Sequence, residues 1–141
     1  MIKTNNSKFR KGFSLIEVLV ALTIFGFCTI AVMGYFVYAD KANRISKDTT
    51  IATNLAQSLL YDRLNVPYNN LLVQSGAKTN YSGDSTNPYY RFFKKIDVSL
   101  IDSNLQASAN DVGLKKIDVY LSWQEGSSER SVQLSTIKAR R

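Results

Sequence analysis

Between Phe13 and Ala39 the chain reads FSLIEVLVALTIFGFCTIAVMGYFVYA, an apolar run that contains one charge, Glu17, and no proline. From Val18 to Ala39 there are 22 consecutive uncharged residues. At ~1.5 Å per residue they make about 33 Å of helix, enough to cross a ~30 Å hydrocarbon layer. The helical pattern continues past Ala39. DKANRISKDTTIATNLAQSLLYDRLNV has no Pro or Gly, and Ala52, Leu55, Ala56, Leu59, Leu60 and Leu64 recur at helical spacing to form one apolar stripe. Pro67 ends the pattern. The expectation is one helix of about fifty residues, its first half membrane-buried and its second half amphipathic.

From Pro67 onward the pattern changes. Residues 67–88 read as loop, punctuated by Asn69-Asn70, Gly76, Gly83-Asp84 and Asn87-Pro88. Beyond Pro88 the alternation is two-residue. Ile96, Val98 and Leu100 alternate with Lys95, Asp97 and Ser99, and Ile117, Val119, Leu121 and Trp123 with Lys116, Asp118, Tyr120 and Ser122. QEGSSE is a turn, and Val132 and Leu134 open a further strand. The 75 residues from 67 to 141 are few for a core of their own, so the sheet is expected to pack on the Ala52–Leu64 stripe. The predicted fold is α+β: a long N-terminal helix on a small antiparallel sheet of about three to four strands, a lollipop. The segments are 1–12 (leader), 13–39 (membrane helix), 40–66 (amphipathic continuation) and 67–141 (extracytoplasmic sheet domain).

The net charge of +7 suggests nucleic acid until it is placed along the chain. Lys3, Lys8, Arg10 and Lys11 all precede Phe13, and without them 14 basic residues face 11 acidic ones, a net +3. A basic flank before an apolar run predicts a single-pass membrane protein with a cytoplasmic N-terminus. There is no histidine, and the lone Cys28 lies in the apolar run as a small filler. That composition excludes His/Cys metal sites, Ser-His or Cys-His nucleophile pairs and intramolecular disulfides. No catalytic residue, cofactor or metal is expected.

Glu17 remains to be explained, because a carboxylate in a membrane-length segment is unfavourable and usually functional. Gly12, Phe13 and Glu17 in KGFSLIEVLVAL closely resemble the class III signal of type IV prepilins and type II secretion pseudopilins. The resemblance implies that a membrane prepilin peptidase cuts between Gly12 and Phe13 and methylates the new amine of Phe13. It also implies that Glu17 pairs with the N-terminal amine of a neighbouring subunit during assembly. ATNLAQSLLYDRL and KKIDVYLSWQEGSSERSVQLST further resemble minor pilins of the type IV pilus modification (PilV-type) family and I-type minor pseudopilins, without separating the two. The implied partners are the peptidase, other minor and major pilins or pseudopilins, and the inner membrane. The implied role is priming or capping a type IV pilus or a type II secretion pseudopilus, located finally in the periplasm or at the cell surface. One alternative is a membrane-anchored binding module that never polymerises, for example one that captures DNA. Another is a soluble domain released at Val37-Tyr38-Ala39, although the apolar run exceeds the ~7–15 residues of a secretory signal.

YYRFFKK interleaves aromatics with Arg91, Lys94 and Lys95, a composition that suits nucleic acid or another partner. A first strand with aromatics toward the core and lysines toward water is the preferred reading. Asp102-Ser-Asn104 with Asn110-Asp111 has oxygen donors fit for calcium but no recognisable loop spacing, so turn chemistry is preferred. Asn80-Tyr-Ser is a formal glycosylation sequon, and the terminal KARR reads as a solvated end.

Overall fold

A computed structural model describes residues 12–140. The basic leader residues before Gly12, and Arg141 of the terminal KARR, lie outside them. One helix, α1 (Leu15–Asn65), is followed by a 3-10 turn (Tyr68–Asn70) and five strands: β1 (Gln74–Ser75), β2 (Thr79–Asn80), β3 (Phe92–Leu100), β4 (Leu114–Glu125) and β5 (Ser128–Ala139). The α+β expectation holds, with the helix ending two residues before Pro67. Two strands more than the three long ones come from residues 67–88, where β1 and β2 are two-residue pieces too short for any periodicity to announce.

The chain divides into two compact units, one running to Arg44 and one from Ile45 onward. In the first, α1 is exposed almost throughout, and an 18-residue window has a mean hydropathy of 2.4. It is long and apolar enough to cross a membrane.

In the second unit the sheet runs β1-β3-β4-β5, all antiparallel, with β2 also on β3. The expected stripe forms the helical side of the core. Ala52 and Ala56 are fully buried, and Leu55, Leu59, Leu60 and Leu64 pack against the same cluster, as does Ile51. The sheet supplies Phe92, Val98, Ile117, Val119, Leu121 and Trp123, with Val132 and Leu134 partly buried beside them. Phe92 stands opposite Trp123 across β3 and β4, with ring centroids 5.9 Å apart.

The two sheet edges differ. On β3's outer side Gly76 N–H donates to the Ile96 carbonyl (3.0 Å), and Thr79 pairs with Lys94. Ala77 and Lys78 therefore stand opposite Lys95 alone, a bulge that breaks the pairing. Gly76 belongs there because a Cβ would collide with the Ile96 carbonyl. Gly126 (φ +59°) opens the two-residue β4–β5 turn, the first-position glycine of a II′ hairpin.

Gly76→Ala is expected to destabilise the second unit by about 1–3 kcal/mol, through forced separation of the bulge from β3. Gly83→Ala, with open space around it, serves as the control. Denaturant melts of the full chain in detergent check this; equal midpoints for the two variants would contradict it.

Candidate processing and assembly site

Gly12, Phe13 and Ser14 are exposed and non-helical, and α1 begins only at Leu15. The peptide between Gly12 and Phe13 is thus exposed and outside the helix. Ser14's carbonyl accepts the amides of Glu17 (3.0 Å) and Val18 (3.2 Å), which starts the helix. Glu17 sits in the first turn, where the helix dipole favours a negative charge. Phe13, Glu17, Val18, Ala21, Leu22 and Phe25 line one shallow groove. The carboxylate is therefore set in an apolar stripe, and among the described residues no cation lies within ion-pairing distance. Cys28 is exposed farther along α1.

A family model described as a prokaryotic N-terminal methylation motif covers residues 7–33. Its match supports a type IV prepilin-like protein anchored through its N-terminal apolar helix. No curated protein and no solved structure matches the chain.

Arg91, Lys94 and Lys95 do not form one surface. Arg91, in the turn before β3, pairs with Asp48 of α1 and lies 4.9 Å from the Phe92 ring centroid. Lys95 is on the sheet's outer face, paired with Asp97 at 2.7 Å and 5.4 Å from the Tyr120 ring centroid. Lys94 is on the opposite, helix-facing row with Phe92 and Ile96. It is half-buried and donates to the Tyr81 carbonyl at 3.0 Å. The expectation that these lysines face water is corrected for Lys94, whose long stem lies along the core while its amine caps a loop carbonyl. Tyr89 and Tyr90 precede the strand and are partly exposed, so of the four aromatics only Phe92 enters the core. Of the calcium candidates, Asp102 accepts the amides of Asn104 (2.9 Å) and Gln106 (2.8 Å), which is turn chemistry.

The sequence reading missed a basic clamp at the far end of α1. Buried Lys115 donates to the carbonyls of Tyr68 (2.9 Å) and Leu71 (2.7 Å), and Lys138 to those of Leu64 and Val66. Lys138 thus serves a carbonyl at the helix end, while the Tyr68 carbonyl accepts Lys115 in addition to the Leu71 amide. Strand parity could have revealed both lysines: Lys115 shares a row with Ile117 and Val119, and Lys138 with Val132 and Leu134.

Beside this clamp, the Tyr68 hydroxyl donates to Asp111 (2.5 Å), which also receives the Gly113 amide (2.8 Å) and pairs with Arg140. Tyr68's hydrogen bond first, then the Gly113 amide, holds the Asp111 carboxyl below the ordinary aspartate range, with Arg140 and Lys115 adding attraction against partial desolvation. Burial, then the bond to Asp111, pushes the Tyr68 phenol up.

A depressed carboxyl contributes stability that is present above its unfolded pKa, about 3.9, and is lost as pH falls through the folded value. Acid titration of the full chain is therefore expected to release Tyr68 below about pH 4, and Asp111→Asn to remove that part of the acid dependence. Tyr68 ring resonances followed against pH check it; identical profiles in both proteins would contradict it.

Proposed function

We propose that the chain is a minor pilin or pseudopilin, a structural subunit and not an enzyme. In this reading prepilin peptidase cuts between Gly12 and Phe13 and methylates Phe13. The subunit sits in the inner membrane with its N-terminus cytoplasmic, then joins other pilins or pseudopilins to prime or cap a type IV pilus or a type II secretion pseudopilus. The observation that carries the reading is a lone carboxylate, Glu17, placed five residues into the expected mature chain, on an apolar helix, within the methylation motif.

Cleavage would create a positive amine at Phe13. In a bundle of apolar helices, a buried Glu17 needs such a cation from a neighbour. A pair at ~4 Å is attracted by about 4 kcal/mol at an effective dielectric of ~20, and desolvation removes much of that. The contact therefore acts chiefly on register: a helix displaced along its neighbour leaves both charges buried and unpaired. Release of a soluble domain after Ala39 is disfavoured because α1 continues unbroken through Ala39 and Asp40. DNA capture is disfavoured because Arg91, Lys94 and Lys95 are separated and engaged within the chain.

Glu17→Ala is expected to leave the protein in the membrane fraction and to abolish its recovery in sheared filaments or cross-linked pseudopilus complexes. Unchanged incorporation of the variant would favour a plain membrane anchor carrying a binding module.

A further inference from the structure

The second unit carries its exposed aliphatic side chains at one end. Leu72, Val73, Leu105, Val112 and Ile137 are exposed, and among the described residues no other Val, Leu or Ile of that unit is. The register gathers them. Gln74 stands opposite Val98, so Leu72 and Val73 run level with the end of β3. Residues 101–113 join that end to the start of β4, and Ile137 lies opposite Lys116 near the same start.

Leu105 is the informative member. Its φ is +64°, a region that Gly and Asn enter readily and a branched aliphatic residue does not. The loop holds it there from several sides. Leu105 N–H donates to the Asp102 carbonyl (3.0 Å), and Asp102 N–H to the Gln106 carbonyl (2.9 Å). The Asp102 carboxylate accepts the Asn104 and Gln106 amides, and Ile101 bridges to Ala107. Leu105 nonetheless stays 60% exposed, so packing within this chain does not offset the strain. A strained backbone that presents an apolar side chain to the outside points to a contact beyond the chain.

We propose that Leu105 is a rigid knob that enters an uncharged apolar pocket on a different protein, with Val112, Leu72 and Val73 adding apolar surface at the same end. The surroundings select that partner. Residues 68–73 and 102–112 contain two charges, Asp102 and Asp111, and both are engaged within the chain. Asn69, Asn70, Asn104, Gln106 and Asn110 supply a neutral polar rim around an apolar centre. A second copy of this chain offers no such pocket. The cavities described on the second unit contain Lys138, or Asp111 with Arg140, or Arg63 with Lys94. A lipid surface fits less well. The unit joins the membrane run at Ile45, and about 30 Å of helix separates Ile45 from Asn65 at the apolar end. A fluid acyl layer also gains nothing from a fixed backbone. The proposal does not rest on the pilin reading.

The test is cross-linking of the full chain in membranes of its native host, with photo-leucine in place of leucine and adducts mapped residue by residue. The expected result is an adduct joining Leu105 to apolar residues of one pocket on another protein. An adduct that joins two copies of this chain, an adduct to lipid, or none at Leu105 would each overturn the proposal. Val112→Asn should lower the yield at Leu105 by roughly fivefold or more. Leu105→Asn separates presentation from packing. Asn tolerates a positive φ, so the denaturant midpoint in detergent should hold or rise, while co-purification of the cross-linked protein falls by roughly fivefold or more. Leu105→Met, apolar at the same position, should retain that co-purification. A lower midpoint for Leu105→Asn would assign the side chain to packing within this chain and overturn the proposal.

Discussion

The second unit depends on the close approach of a helix to a sheet, and two alanines set that distance. Ala52 and Ala56 have no exposed surface, and they face a layer built on Phe92, Leu121 and Trp123. Small residues at the centre of the helical stripe leave room for the largest side chains of the sheet, and the leucines at Leu55, Leu59, Leu60 and Leu64 close the margins. A strand layer of this size could not bury enough apolar surface alone. The lysine clamp follows from the same contact. Where α1 ends, Lys138 donates to the carbonyls of Leu64 and Val66, and Lys115 to those of Tyr68 and Leu71 in the turn that follows.

Elements with long periodic patterns were legible from sequence. The α1 stripe and the alternation through Ile117–Trp123 each repeat often enough to specify both the element and its buried face. Residues 67–88 were not, because β1 and β2 are held by pairing to β3 and by the room that Gly76 leaves, neither of which leaves a local signature. Lys94, Lys115 and Lys138 show a different failure. Their inward parity is written in the strands, but charge by itself points to solvent, although a lysine stem can lie against a core while its amine finds carbonyls at the margin.

Glu17 was legible for the opposite reason: among the described residues nothing around it accounts for it. The length and hydropathy of α1 suit a membrane span, yet they do not call for a carboxylate in the groove lined by Phe13, Ala21 and Phe25. In the proposed function that charge would gain a chemical counterpart, because cleavage between Gly12 and Phe13 would create an amine four residues from it, within the matched methylation motif. What the motif does not specify is the surface presented by the sheet unit. There the informative feature is the strained backbone at Leu105, and sequence motifs do not record it.

In the proposed function Gly12 and Phe13 mark a processing site that prepares Glu17 for assembly. The most direct measurement is the intact mass and N-terminal sequence of the protein from membranes of its native host. A chain beginning at N-methylated Phe13 is the predicted result. A chain beginning at Met1 while the processing pathway is active, or one beginning at Asp40, would contradict it.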